Sequence, residues 1–158
     1  MELLTFALQD VKLDTILATF IYNIVAERGL LDLMKFAREN YANTFDGCDI
    51  AAAHGNVEAL QLARQLGSPI GDACDHAAKN GHVDCLRVAH ELGGSILYVC
   101  EFAARKGHLE CLKAALELGA HIGNSCEIAA AYGFADCLEL ACKAGADTRS
   151  KMVISNVS

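Results

Sequence analysis

Apolar positions along this chain come in short bursts at helical spacing, and each burst stops at a glycine. In the run Cys74-Asp-His-Ala-Ala-Lys-Asn-Gly-His-Val-Asp-Cys-Leu86, Ala77 and Ala78 belong to a helix-favouring stretch that ends at Gly81. Glycine is the residue best suited to a left-handed helix C-terminus. A second burst from about Val83 to Leu92 puts Val83, Leu86 and Val88/Ala89 at helical spacing and stops at Gly93. The pattern predicts two short helices, A and B, joined by a sharp corner.

Nearly the same run returns at Cys48, Cys100 and Cys126, a constant interval of 26 residues, and a more degenerate copy opens at Tyr22. A fixed period makes the chain a stack of equivalent units. Gly29, Gly55, Gly107 and Gly133 stand with Gly81 at the ends of the A helices, and Gly67, Gly119 and Gly145 stand with Gly93 at the ends of the B helices. Ahead of helix A, Asp46, Asp72 and Asn124 stand three residues before Asp49, Asp75 and Glu127, which is N-cap chemistry with an acid at the third helical position. Tyr98, before Glu101, breaks that pattern.

These spacings divide residues 1–158, read as one all-α domain, into an N-terminal helical cap (1–21), five repeats (22–47, 48–73, 74–99, 100–125 and 126–149) and a partial repeat or frayed tail (150–158). The cap is expected to shield the first repeat. In the tail, Ser150 falls at an N-cap position and Met152 and Ile154 fall in the columns of Cys126 and Ile128.

The run Ala103-Ala-Arg-Lys-Gly-His-Leu-Glu-Cys-Leu-Lys113, with Glu117-Leu-Gly-Ala120 after it, resembles the helical half of an ankyrin repeat, and the likeness recurs in phase from residue 22 to about 148. The family's Thr-Pro-Leu-His opening is missing, and the period is 26 rather than about 33. Only Ser68 to Gly71 separate Gly67 from Asp72, too few for a β-hairpin finger. The chain is similar to the short, fingerless ankyrin-like arrays of giant viruses and protists. That resemblance implies a solenoid of helix-turn-helix units serving as a non-enzymatic protein-protein interaction module.

Composition fits close helix packing: 53% hydrophobic and 6% aromatic, with a single proline, Pro69, in an inter-repeat loop. The net charge of −7 argues against a general nucleic-acid role, which needs a basic face. Glu2 stands where a secretory signal would be positive, and Asn23 and Glu27 interrupt the apolar run from Ile16 before it reaches the roughly 20 residues of a membrane span. The expectation is an intracellular, cytoplasmic protein, or one of the host cytoplasm or nucleus if viral or an effector.

Seven of the eight cysteines fall in two columns: Cys48, Cys74, Cys100 and Cys126 in the first, and Cys85, Cys111 and Cys137 in the second. Stacked helices lie about 8–10 Å apart, beyond the roughly 7 Å that a disulfide tolerates between Cα atoms, so cysteines of one column cannot bridge neighbouring repeats. Buried free thiols are expected, although Cys100 and Cys111 face each other within one repeat. A metal or redox role for the cysteines is the competing reading, since Cys74, His76, His82 and Cys85 crowd together. The spacing follows the repeat period rather than paired zinc-ligand spacing, so neither a metal nor a cofactor is expected. His82 and His108 follow the helix-A glycine, where the resembled family uses histidine for local hydrogen bonding. His54, His90 and His121 are isolated surface positions. No catalytic constellation is present in the sequence.

The resemblance implies that the two residues before each helix-A glycine line the concave face: Glu27 and Arg28, Ala53 and His54, Lys79 and Asn80, Arg105 and Lys106, Ala131 and Tyr132. The centre of that face is basic although the chain is acidic. It suits an acidic or mixed segment of a partner protein, with nucleic acid or an anionic lipid headgroup as the alternative. By contrast, Asp32 with Lys35, Asp84 with Arg87 and Glu110 with Lys113 read as i,i+3 pairs on a solvated face. Leu97 and Tyr98 replace Gly71-Asp72 and Gly123-Asn124 of the sibling loops. Exposed, they would form an aromatic-aliphatic anchor; buried, they would reset the angle between the third and fourth repeats.

Overall fold

The computed structural model describes residue 24, residues 30–32 and residues 46–155, with side chains as far as 146. The N-terminal cap (1–21), Glu27, Arg28 and Lys35 lie outside the described residues. Eight helices and no strand are found among the described residues: α1 (Gly47–Ala53), α2 (Val57–Gln65), α3 (Ala73–Asn80), α4 (Val83–Glu91), α5 (Val99–Lys106), α6 (Leu109–Glu117), α7 (Ser125–Tyr132) and α8 (Ala135–Ser155). The chain is all-α. None of these helices is long and apolar enough to cross a membrane.

Odd and even helices form two rows. Helices α1, α3, α5 and α7 pack successively on one another, α2, α4, α6 and α8 do the same, and each odd helix packs on the even helix that follows it. The core repeats with the sequence. Leu60, Leu86 and Leu112 are fully buried, as are the alanine pairs Ala51/Ala52, Ala77/Ala78 and Ala103/Ala104. Alanine at two adjacent positions removes the side-chain bulk that would hold neighbouring odd helices apart.

The corners form as the glycines predict. Gly81, Gly107 and Gly133 close α3, α5 and α7 at φ 82°, 73° and 78°. Helices α2, α4 and α6 stop in the same way: at the end of α4, Gly93 has φ 97°, and the following Gly94 amide donates back to the Ala89 carbonyl at 2.8 Å. That pairing satisfies carbonyls the helix end would otherwise leave open. A Cβ on Gly94 would meet the Cys74 sulfur at 2.6 Å, so this glycine also makes room for a buried thiol.

Two expectations at helix ends are corrected. Gly145 does not stop α8, which continues from Ala135 to Ser155, so Ser150 lies within a helix and does not open one. Asp46, Asp72 and Asn124 occupy N-cap positions without a side-chain capping bond. In two repeats the acid at the third helical position reaches away from its own helix instead. Glu101 accepts from the Asn124 amide of the next repeat at 3.2 Å, and Asp49 accepts in the same sense from the backbone of Asp72. Gly71 and Gly123, both at positive φ, let that carboxylate approach the loop. Leu97 stands in their place without a positive φ, in register with Asp75; Asp49 and Asp75 each keep one buried oxygen, Oδ1, without a hydrogen-bond partner.

Candidate interaction face

Helices α3 and α5 end on neighbouring turns because the odd helices pack side by side. Phe102, half-buried on α5, organises the space between them: the Lys79 ammonium lies 3.9 Å from the centre of its ring and the Arg105 guanidinium 5.9 Å away. A cation over an aromatic face gains roughly 0.5–1 kcal/mol at an exposed site, so Phe102 restrains both charges without neutralising either. Arg105 and Lys106 are exposed, while Lys79 is partly covered. Lys79 also faces Asp75 on its own helix. Burial pushes the Asp75 carboxyl above its usual range, and Lys79 partly offsets that.

The other expected members of the face are placed differently. Asn80 is exposed but donates its side-chain amide to the His76 carbonyl at 2.9 Å, and His54, also exposed, sets its Nδ1 3.0 Å from the Ile50 carbonyl. Tyr132 is 58% exposed at the end of α7. Leu97 and Tyr98 are 59% and 53% exposed, which decides between the two readings of that loop in favour of an exposed pair. Tyr98 precedes the first residue of α5 and Lys106 is its last. At 1.5 Å per residue those positions are about 12 Å apart along the axis, so the apolar pair and the basic cluster lie at opposite ends of one helix.

The expected Asp84–Arg87 pair is replaced by a longer-range one. Arg87 bonds Glu117 at 2.6 Å, joining α4 to α6, whereas Lys113 does pair with Glu110 within its own helix at 2.7 Å. Both pairs are well exposed and contribute little.

His82 and His108 act between repeats and not locally. Nε2 of His82 lies 3.1 Å from the Ala53 carbonyl, and Nε2 of His108 lies 3.2 Å from the Lys79 carbonyl. Each ring covers the helix-A glycine of the preceding repeat, so that a Cβ on Gly55 or Gly81 would strike it at 2.7 or 2.9 Å. Phe134 takes the same position over Gly107. His90 and His121 engage nearby backbone, the Gly94 carbonyl and the Gly123 amide.

Cys48, Cys74, Cys85, Cys100, Cys111 and Cys137 are free and buried. Burial pushes Cys48, Cys85, Cys100 and Cys111 up to about 11 and Cys74 up to about 12, which suppresses the nucleophilic thiolate. Cys126 departs from the expectation of a free thiol: it forms a disulfide with Cys142 of α8, with Cα atoms 5.3 Å apart. Cys142 lies outside both cysteine columns, so the repeat spacing gives no sign of this pair. Among the described residues, no group of three or more His, Cys, Asp or Glu side chains converges as metal ligands.

Sequence reasoning also missed Phe102. Its signal was available, since it stands where Ile50, His76 and Ile128 stand in the sibling repeats and lies three residues before Arg105. The chain matches no protein-family model and no curated protein.

Proposed function

We propose that the chain is a fingerless ankyrin-like solenoid that acts as a non-enzymatic interaction module, taking an acidic or mixed segment of a partner protein across the ends of its odd helices. The observation that carries this reading is the Phe102-centred group, in which Lys79 and Arg105 flank one ring with Lys106 exposed beside them, on a chain of net charge −7. Cations held over a ring lose less freedom on binding than freely rotating ones, and that favours complementarity with an acidic strand. The two-row stacking and the glycine-closed corners support the solenoid reading.

The test is binding of a synthetic Glu-rich peptide followed by fluorescence anisotropy. Arg105→Glu with Lys106→Glu should weaken binding tenfold or more without altering helical content. Arg87 and Lys113 are unsuitable controls because both are engaged in ion pairs. Arg64→Glu with Lys143→Glu changes net charge equally at exposed positions of α2 and α8 and breaks no ion pair among the described residues, only the 3.4 Å bond from Arg64 to the Ser68 carbonyl. Equal weakening by both pairs would reduce the effect to long-range charge and overturn the proposed face. A preference for a nucleic-acid polyanion over the peptide, with steep salt dependence, would overturn the choice of partner.

A further inference from the structure

The first-column cysteines are not equivalent. Cys48 and Cys74 are fully buried, and each is covered by the loop that follows the even helix of its own repeat. The Cys48 thiol lies 3.7 Å from the Ser68 carbonyl, and the Cys74 sulfur lies directly under Gly94. In the last helix pair α8 stays helical through Gly145, so among the described residues no such loop crosses Cys126, which is only half-buried. The position that is Arg64, His90 and Leu116 in the earlier repeats is Cys142 in this one, exposed and bonded to Cys126.

We propose that Cys126 and Cys142 form a reversible thiol–disulfide site, exchanging with low-molecular-weight thiols and disulfides, that latches α7 to α8. The accessible Cys142 thiolate attacks a small disulfide, forming a mixed disulfide and releasing one small thiolate. Cys126, deprotonated in turn, attacks the Cys142 sulfur and expels the second. Two protein thiols are oxidised to one disulfide, one small disulfide is reduced to two thiols, and the two protons leave with them. The six buried cysteines take no part, because no attacking sulfur can reach them in the folded chain.

The test equilibrates the full chain in reduced and oxidised glutathione, followed by peptide mapping and amide hydrogen exchange. Oxidation should yield the single Cys126–Cys142 link. Reduction should leave two thiols that label quickly with a maleimide and six that stay protected. Amide exchange in residues 125–132 and 135–146 should rise tenfold or more on reduction, with α3 to α6 unchanged. Cys142→Ser, at an exposed position, should behave like the reduced chain whatever the glutathione ratio. A different pairing, no link at any ratio, or exchange in α7 and α8 that is indifferent to reduction would each overturn the proposal.

Discussion

His108 donates its Nε2–H to the carbonyl oxygen of Lys79 across 3.2 Å, twenty-nine residues back along the chain, and His82 makes the same bond to Ala53 at 3.1 Å. The acceptor is a carbonyl, so Nε2 must carry the proton. The bond satisfies an oxygen in the last turn of the preceding odd helix, where intrahelical donors run out. One side chain therefore ends one helix, covers its glycine and sets the junction between two repeats.

His108→Ala should destabilise the chain by about 1–2 kcal/mol, from the lost bond, the unsatisfied carbonyl and the uncovered glycine. His108→Phe, copying Phe134, should recover the ring packing but not the bond, and fall between wild type and alanine. Urea denaturation separates the three; equal midpoints for wild type and alanine would remove the junction role.

Gly107 and Gly133 share a positive φ but differ in surroundings. A Cβ on Gly107 runs into the Phe134 ring, whereas one on Gly133 meets nothing within 4 Å. Gly133→Ala should cost the backbone term alone, about 1 kcal/mol, and Gly107→Ala should cost more. Gly107→Val should lose at least about 2 kcal/mol. Thermal midpoints that rank the two alanine variants equally would show that the ring moves aside freely.

Burial, and then the neighbouring charges of Asp72 and Asp46, push the Asp49 carboxyl up to about 6 from an ordinary 3.8. The folded chain keeps this proton where the unfolded chain has lost it, so between about pH 4 and 6 stability falls as pH rises. Asp75 shifts in the same direction. Asp49→Asn keeps an acceptor for the Asp72 amide and removes the charge. It should stabilise the chain at pH 7 by about 1 kcal/mol, less than the full shift implies because water still reaches the side chain. The advantage should vanish near pH 4, as read by chemical denaturation across that range.

Cys100 is fully buried, with its thiol pushed up to about 11. Cys100→Ala should cost about 1 kcal/mol, while Cys100→Asp places a carboxyl in a site with no prepared partner and should unfold the neighbouring repeats. Circular dichroism of the two variants distinguishes a packing role from a chemical one.

The helix pairs and their corners were legible in the sequence because glycine at a left-handed position is dictated by the residue's own sterics, as at Gly81 and Gly107. What was not legible depends on the neighbouring repeat. Asp49 suggested capping of its own helix and Glu101 stood outside that pattern, yet both carboxylates reach the next loop, since the stack brings the following amide within reach. Arg87 was read against Asp84, three residues away, when its partner Glu117 lies one repeat and four residues on. The glycine at 145 predicted a stop that α8 does not make, and the Cys126–Cys142 bond accompanies that continuation. At the candidate face, Lys79, Arg105 and Lys106 were found from the resemblance, which puts the two residues before each helix-A glycine on one face, and from the basic charge at its centre. Phe102, which orders two of them, was missed because the charge pattern does not show which side chain lies between the cations. The exposure of Leu97 and Tyr98 was left open by the sequence, which shows the loop to be apolar but not which way its side chains face.

The histidine junction has one more consequence, because its acceptor is main chain. A carbonyl is the same at Ala53 as at Lys79, so the ring of His108 would meet an identical oxygen if residues 74–99 were excised and Ala73 joined to Cys100, and Gly55 would lie beneath it as Gly81 does now. The unit is an interchangeable cassette: lengthening or shortening the array by whole units preserves every junction of this kind, whereas a single inserted residue breaks the one it precedes.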